Sequence, residues 1–510
     1  MLVFATRRLV VSFLTLLVAS FFVYVLVANS GDPYNDIREL PPGDREAQFA
    51  QRTERLQLDV PVPLRYLGWL RGVGGCLVPG GGCDLGLSKN GQEVSVLVGQ
   101  AAVTSVRLVL GATVLAMLIG IGVGIVSALK QYSRLDYSVT FAAFVFFSLP
   151  VFVIGIVLKQ YLAIAYNDWL ADPRVPVPVV AAAAVVVGAL VMSAVPGRRA
   201  WRWLGFAAGA AVTAAVLLQL SALGWFARPA LGVGLVGVLS VAAAVGVTFL
   251  VSGLHRRRVL VGALVTALIG TVASVPLQPL FDVSTWGTMG VLLVVTVALS
   301  ALVGAVAGGP LERAEAVRAA VLTGVLTAAV VFTDRLLASF ADYARSVGGR
   351  PLSTIGAQTP NFSGDFWETT VDQAMHLVLP TLSLVLISLA TYSRYTRSSM
   401  LEVLNAEHVR TARAKGLTER TVVVRHAFRN GLIPIATFTA IDFGAVIGGA
   451  VISERVFGWQ GMGNLFITGL GEVDPNPVMA FFVVTSVAIV VFNLVADLAY
   501  AFLDPRIRLS

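Results

Sequence analysis

The chain has 510 residues, of which 56% are hydrophobic and only 13% are charged, whereas about a quarter of the residues in a soluble protein are charged. This composition excludes a soluble enzyme and indicates a polytopic membrane protein, because about 20 apolar residues cross a bilayer as a helix. The net charge of +8 would suggest nucleic acid as the partner of a soluble chain, but in a membrane protein it indicates arginine-rich cytoplasmic loops. We therefore expect no nucleic-acid partner.

The apolar runs are continuous and lack the alternation of barrel strands, so they predict an all-α fold with about 12 transmembrane helices. The first run follows Arg7 and Arg8, is longer than a secretory signal core, and is interpreted as an uncleaved first span. The twelve runs lie at about residues 9–29, 101–129, 138–165, 176–195, 203–225, 230–254, 259–278, 289–308, 315–337, 376–394, 431–453 and 478–503.

Basic residues predict the orientation of these spans. If the N-terminus is cytoplasmic, every even-numbered connection is cytoplasmic, and each contains arginine; Arg506 and Arg508 then fall on the same side. The segment 31–100 would be an external loop, long enough to be translocated despite its arginines. Arginine far outnumbers lysine, as is typical of a GC-rich bacterial genome. We predict a multi-pass protein of the bacterial plasma (inner) membrane with both termini in the cytoplasm.

The first external loop contains the two cysteines of the chain, Cys76 and Cys83. Export would place them in an oxidising compartment, and the glycines 80–82 allow a short loop to close. A disulfide is the favoured interpretation, and two free thiols are the alternative. A zinc pair is disfavoured because no histidine lies nearby.

Sequence motifs for catalysis and for cofactor binding are missing. None of the four lysines follows a glycine, so the chain has no Walker A nucleotide site. The four histidines lack metal-ligand spacing, and neither HExxH nor GxSxG occurs. We expect no catalytic residue, no metal site and no cofactor in this chain.

The largest basic segment is 395–430, between the tenth and eleventh runs. Residues 400–415 lack Gly and Pro and predict a helix that stops at Gly416, a residue suited to a left-handed C′ position. Thr418 would cap a second helix. Ala412 and Gly416 are small and one turn apart, which would allow close approach by a partner protein. The alternative is a solvated arginine-rich loop at the lipid headgroups.

Asp442 lies near the middle of the eleventh run, where an ionisable group is costly and is a functional candidate by default. It is interpreted either as part of a transport pathway or as a carboxylate that is hydrogen-bonded to a neighbouring helix.

Several motifs carry a resemblance to a known family. AEHVRTARAKGLTERTVVVRHAFRNGLIP resembles the cytoplasmic EAA loop of ABC-importer permeases, in the form found in the dipeptide and oligopeptide permease family. Other stretches agree in order: RRLVVSFLTLLVASFFVYVLVANSGDP, DLGLSKNGQEV, FWETTVDQAMHLVLPTLSL, GGAVISERVFGWQGMGNL and DLAYAFLDPRIR. The resemblance covers about residues 1–166 and 345–510 and does not cover the middle.

This resemblance implies a six-helix type I permease core interrupted by an inserted helical bundle. The expected domains are 1–168 with spans 1–3, the inserted bundle 169–342 with about six spans, and 343–510 with spans 10–12. In this family the EAA loop forms a coupling helix that docks on a cytoplasmic ATPase. The residues to which the resemblance carries this role are Glu407, Arg410, Thr411, Ala412, Gly416 and Leu417.

The resemblance also implies an assembly and a function. The partners would be a second homologous permease, two cytoplasmic P-loop ATPases that bind ATP and Mg, an extracytoplasmic substrate-binding protein, and membrane lipid. Members of the family carry dipeptides, longer peptides, nickel chelates or haem. The alternative classes are a stand-alone secondary transporter and a polyprenyl-linked membrane enzyme. The transporter is disfavoured because the insert shows no relation to the flanking halves, as inverted repeats would require.

Overall fold

The computed structural model describes residues 2–39, 41–76, 82–195, 198–428, 430–431, 434–435, 438–439, 442 and 450–503. Within these residues the secondary structure is helical, apart from one isolated antiparallel bridge between Leu87 and Glu93. The prediction of an all-α, polytopic fold is confirmed. The chain forms two compact units, of which the first comprises residues 1–162, 354–357 and 376–510, and the second comprises residues 163–353 and 358–375.

The N-terminal part contains three candidate spans, and a helical connection joins the first two. Its helices are α1 (Leu2–Ala28), α2 (Asn35–Arg38), α3 (Pro42–Leu56), α4 (Val62–Gly75), α5 (Val94–Leu129), α6 (Arg134–Ser148) and α7 (Val151–Leu170). α3 has Pro42 at its first position and α4 has Pro63 at its second, because the fixed φ of proline suits a first helical turn.

The third predicted run, 138–165, is two helices rather than one. Pro150 separates α6 from α7, and Leu149 has an extended backbone, with φ −88° and ψ 129°. A residue before proline is pushed away from helical angles by the proline ring, which explains the break. Residues Leu158–Ile164 within α7 form a π-helical stretch.

The middle of the chain contains six apolar helices or helix arms. The helices here are α8 (Val177–Ala194), α9 (Arg199–Ala222), α10 (Gly232–Val251), α11 (Arg257–Ala273), α12 (Gln278–Asp282), α13 (Trp286–Ala338) and α14 (Phe340–Ser346). α10, α11 and α13 pack through small side chains, which let helix backbones approach closely. Ala244, Ala263 and Ala267 form one such buried cluster.

α13 is a helical hairpin. Gly309, with φ 59°, breaks it just before Pro310 into two arms, residues 286–308 and 310–338. A methyl group on Gly304 would lie 2.6 Å from the Ala316 carbonyl oxygen, and one on Gly324 would clash with the Ser300 hydroxyl oxygen. The arms therefore run back along each other in close contact, as the separate runs 289–308 and 315–337 predicted.

The C-terminal part contains α15 (Phe366–Leu404), α16 (Glu407–Ala414), α17 (Glu419–Thr421), a π-helical stretch (Val422–Phe428), α18 (Val451–Phe457), α19 (Met462–Gly471) and α20 (Pro475–Leu503). A buried cluster of Tyr24, Tyr66, Trp69 and Met479 joins α1, α4 and α20. Most of the eleventh predicted run, 431–453, lies outside the described residues, as do Arg506 and Arg508.

Ten of the twelve predicted runs coincide with a helix or a helix arm. Within the described residues, eight helices are long and apolar enough to cross a membrane, the first being Val10–Ala28 and the last Pro475–Leu494.

Candidate functional site

The basic segment after α15 contains a short helix that is separate from the helices before and after it. The sequence predicted one helix through residues 400–415, but α15 ends at Leu404 and α16 begins at Glu407. Ala406 is extended, with ψ 149°, and the Asn405 side-chain amide donates to the Leu401 carbonyl, 3.0 Å away. The chain therefore turns at Asn405, and α16 takes its own direction.

Gly416 and Thr418 end α16 and begin the next helix, as predicted. Gly416 has φ 74°, and its N–H donates to the Arg413 carbonyl at 2.9 Å. The Thr418 hydroxyl accepts from the Thr421 N–H at 3.4 Å and caps α17. A methyl group added to Gly416 would meet nothing within 4 Å. The glycine is therefore required by its backbone conformation and not by crowding.

An ion pair spans this turn. The Arg413 guanidinium donates to both oxygens of Glu419, at 2.7 and 3.2 Å, and also to the Leu404 carbonyl at 3.4 Å. The hydrogen bonds from Arg413 lower the pKa of the exposed Glu419 carboxyl. Arg413 thus joins the end of α15 to the start of α17 across α16.

One face of α16 packs against the protein itself. Val409 and Ala412 are buried in a cluster with Ala128, Met400, Val422 and Ala427. This corrects the expectation that Ala412 and Gly416 together present a face for close approach by a partner. Ala412 lies three residues after Val409, so both side chains point inward, and Ala412 is only 4% exposed.

The opposite face of α16 is exposed and polar. Glu407, Arg410 and Thr411 lie on it, and Leu417 beyond the glycine is 40% exposed. Arg410 pairs with Glu407 at 3.7 Å, and the Thr411 hydroxyl donates to the Glu407 carbonyl at 2.9 Å. Five of the six predicted coupling residues, all except Ala412, are thus on the accessible side of the segment.

A buried ion pair that the sequence analysis did not single out lies near this segment. Arg397 of α15 donates to both oxygens of Asp136, at 2.7 and 2.9 Å, although the residues are 261 positions apart. Asp136 also accepts from the Ser127 hydroxyl and from the Tyr132 N–H, and only 3% of its side chain is exposed. These donors, led by Arg397, hold the pKa of the Asp136 carboxyl well below its usual range.

Asp442 accepts a hydrogen bond from the Tyr392 hydroxyl of α15 at 2.8 Å and is half-buried. Tyr392 and Tyr395 both contact the Phe438 ring, with centroid distances of 5.1 and 4.4 Å. The Tyr392–Asp442 hydrogen bond is the contact expected of a carboxylate that is bonded to a neighbouring helix.

The connection between α18 and α19 is anchored to α5. The Ser105 hydroxyl donates to Glu454 at 2.5 Å and accepts from the Met462 N–H at 2.8 Å, and Glu454 also accepts from the Asn464 N–H at 3.0 Å. Glu454 is fully buried. Gln460 in this turn accepts from the Asn464 side-chain amide at 2.7 Å. Glu454 was missed because its partner is 349 residues away in sequence.

The long connection between α1 and α5 contains the two cysteines that the sequence predicted to pair. Cys76 and Cys83 are joined by a disulfide. The Lys89 N–H donates to the buried Asp474 carboxylate at 2.5 Å, in front of α20. Burial raises the pKa of Asp474 to about 6. Among the residues that the structure describes, no group of three or more His, Cys, Asp and Glu side chains could hold a metal ion.

The spans, their polar cross-links and the exposed helix α16 after α15 define a multi-pass helical membrane protein. The family described as "Binding-protein-dependent transport system inner membrane component" matches residues 259–509, about half of the chain, and this match includes α16. Over these residues the chain belongs to this family.

Three of the curated relatives that the chain resembles are named as permeases of peptide transport systems. The chain is 41% identical over 165 residues to the oligopeptide transport system permease protein OppB of Mycobacterium tuberculosis strain H37Rv, covering 32% of this chain and 51% of the relative. It is 44% identical over 137 residues to AppB of Bacillus subtilis, also named an oligopeptide transport permease, covering 27% and 43%. It is 41% identical over 138 residues to the dipeptide transport permease DppB of Escherichia coli K12, covering 27% and 41%. The chain thus spans about half the length of the curated relatives it matches.

Proposed function

We propose that the chain is the transmembrane permease subunit of an ATP-driven importer for dipeptides, oligopeptides or related small solutes. The observation that carries the proposal is the exposed face of α16, ended by a left-handed glycine and fixed to the membrane helices by its buried face. The names of the relatives support peptides as the cargo.

The assembly that fits this role has four further subunits. A second homologous permease completes the translocation pathway, and an external binding protein delivers the cargo. Two P-loop ATPases bind ATP and Mg and receive Glu407, Arg410, Thr411, Gly416 and Leu417. Energy then enters through the partners, since the chain has no Walker A site of its own.

The coupling route follows from the contacts of α16. Closure of the ATPases on ATP moves the docked helix, and the buried cluster of Val409 and Ala412 transfers that movement to α5 and α15. The Asp136–Arg397 pair fixes the end of α15 to α6, so the spans shift together between inward-open and outward-open states. Asp442, held by Tyr392, is the candidate pathway group in this scheme.

The proposed topology has both termini in the cytoplasm, a core formed by residues 1–168 and 343–510, and an inserted bundle at 169–342. The second compact unit, residues 163–353 and 358–375, contains the whole proposed insertion and supports it. In a variant whose native cysteines are replaced by serine, single cysteines at Ala227 and Asp282 should react with an impermeant external reagent, and those at Arg199 and Arg257 should not. The reverse pattern would contradict the topology.

The function is tested by purifying the tagged chain from its native membrane and identifying its partners by mass spectrometry. We expect P-loop ATPases and a homologous permease, with ATPase activity that is stimulated by a peptide-loaded binding protein. Peptide uptake should require ATP and persist when the proton gradient is collapsed. Uptake that stops with the gradient and needs no ATPase would instead identify a secondary transporter.

A further inference from the structure

The second unit contains a cavity of about 460 Å³ that has no part in the proposed coupling. It lies between α11 and the two arms of α13, and its walls are mostly aliphatic. The volume is in the range of about 300 to 1,000 Å³ that is typical of ligand sites. Gly324 and Thr266 lie at one end of the cavity, and Arg335 and Trp367 lie at the other.

The cavity has the length of one lipid tail. Gly324 and Arg335 are eleven residues apart on the same arm of α13, which corresponds to roughly 16 Å along a helix. The hydrocarbon core of a bilayer is about 30 Å thick, so one leaflet contributes about half of that. The cavity thus extends through the apolar depth of one leaflet.

The end at Trp367 has the character of a membrane–water interface. Trp367 contacts Phe281 and Phe366, and the neighbouring Trp286 is 65% exposed. Aromatic side chains of this kind are enriched at the level of lipid headgroups. The Arg335 guanidinium lies over the rings of Phe281 and Trp367, both at 5.8 Å, and donates to Asp282 and Gln278, each at 2.5 Å.

Two of the residues that line this cavity have a polar side-chain atom with no hydrogen-bond partner among the described residues. These atoms are Nε of Arg335 and Oγ1 of Thr327, and both are buried. A buried donor without a partner is costly, so a ligand that offers an acceptor to the Arg335 N–H would be stabilised. Asp282 already balances the arginine charge, so the remaining Nε–H favours a single ligand oxygen over a bare anion.

We infer that this cavity binds one acyl chain of a membrane phospholipid. The chain fills the space from the Arg335 end towards Gly324, and an ester or phosphate oxygen accepts the hydrogen bond from Arg335 Nε. The lipid is then a fixed component of the bundle, held between α11 and α13, rather than one of the exchanging lipids around it.

The test uses the full chain, depleted of lipid in detergent, and native mass spectrometry with a phosphatidylglycerol of defined chains as the probe. Ala328→Phe fills the cavity from α13, and Ala273→Phe fills it from α11; both alanines line it. Ala298→Phe is the matched control, since Ala298 is exposed on the other arm of α13 and lies outside the lining. Wild type and the control should each retain one lipid, and the two filling variants should lose at least tenfold in lipid affinity.

Arg335→Lys keeps a charge near Asp282 but removes Nε, and it should weaken lipid retention about three- to tenfold. Melting temperatures of all variants are compared to identify any that is misfolded. Because the two filling variants are on different helices, the test still works if one of them does not fold. Equal retention by wild type and both folded filling variants, or no discrete lipid on wild type, would overturn the inference.

Discussion

In the first unit, buried carboxylates join segments far apart in sequence, whereas in the second unit the apolar helices α10, α11 and α13 meet through Ala and Gly. Asp136–Arg397, Ser105–Glu454 and Lys89–Asp474 connect residues 261, 349 and 385 positions apart. In the second unit, Ala316 and Ala319 pack beside Val259 and Val247, and Gly304 and Gly324 let the arms of α13 touch.

This difference in helix packing indicates which unit can change conformation. Close packing of small residues depends on one precise helix separation and gives a rigid interface. Polar links between helix ends can be exchanged between discrete arrangements, as switching proteins require. We therefore expect the first unit to contain the moving parts and the second to behave as a fixed bundle.

Ala412→Asp should have the largest effect, because it places a carboxylate in the buried cluster with Met400 and Val422. Burial of an unpaired carboxyl raises its pKa by several units, which corresponds to roughly 4 kcal/mol of destabilisation at neutral pH. Ala414→Asp on the exposed side of the same helix is the control. The melting temperature should fall in the first variant and stay unchanged in the second, which tests burial alone because Ala414 lies on the proposed docking face. Uptake and ATPase retention should be lost in the first variant. Equal behaviour would show that the segment does not pack as described.

Arg397→Ala should follow, with a loss of about 3 kcal/mol, because it leaves the Asp136 carboxylate buried without its cation. The measurement is thermal unfolding of the single variants and of the double variant with Asp136→Ala in the same detergent. The double variant should lose less than the sum of the two single losses. Additive losses would mean that Asp136 and Arg397 have no interaction free energy.

Asp474→Asn should change the pH dependence of stability. Because burial raises the folded pKa of Asp474 to about 6, the folded chain binds a proton between about pH 4 and pH 6 that the unfolded chain does not. The stability of the wild type should therefore fall by roughly 3 kcal/mol as pH rises through this window. Asp36 does not interfere, because Arg52 and Lys89 hold its pKa below its usual range, so its contribution is lost only below about pH 4.

The comparison for this prediction is the unfolding free energy of wild type and Asp474→Asn at pH 4, 5, 6 and 7. The difference between the two proteins should vary across the window and be constant above it. Parallel curves would contradict the assigned burial of this carboxyl.

Gly304→Ala should destabilise the second unit by about 2 kcal/mol, since the added methyl would meet the backbone of Ala316 and Val317 at 2.6 and 2.7 Å. Gly290→Ala on the same arm is the control, because its methyl would meet nothing within 4 Å. The Gly304 variant should lower the melting temperature yet leave the ATPase stimulation per folded complex unchanged. Loss of stimulation without loss of stability would show that the second unit takes part in coupling.

Gly416→Val should have the smallest effect on stability, about 1 to 2 kcal/mol, from the backbone strain of a β-branched residue at φ 74°. Asn tolerates this conformation better, so Gly416→Asn should lie between Val and wild type. ATPase retention on the purified complex should fall in the same order. Full retention with valine would mean that the turn adjusts without affecting docking.

Local signals in the sequence predicted much of the fold. The lengths of the apolar runs correctly predicted a helix or helix arm in ten of twelve cases. The two runs on either side of Gly309 and Pro310 were correctly kept separate. The break between α6 and α7 was missed although Pro150 marks it. The apolar pair Val409 and Ala412, three residues apart among charged side chains, is a local signal of the buried face of α16 that the sequence analysis did not use.

Long-range partners could not be predicted in the same way. Ser133 and Asp136 form a local capping pattern in which the Ser133 hydroxyl accepts the Asp136 N–H, which the sequence contains. Nothing local specifies that Arg397 completes the site of Asp136, or that Ser105 bonds Glu454. These pairs depend on how distant spans meet, and one sequence alone contains no record of that.

The most direct test of the account is site-specific photo-crosslinking from α16 in native membranes. A photoreactive amino acid at the exposed position of Thr411 should form a cross-link to a P-loop ATPase, and the same group at the fully buried Val409 should react only within the chain. If the position of Thr411 gives only lipid adducts or unreacted chain while the assembled complex is intact, α16 is not the docking face and the proposed coupling is wrong.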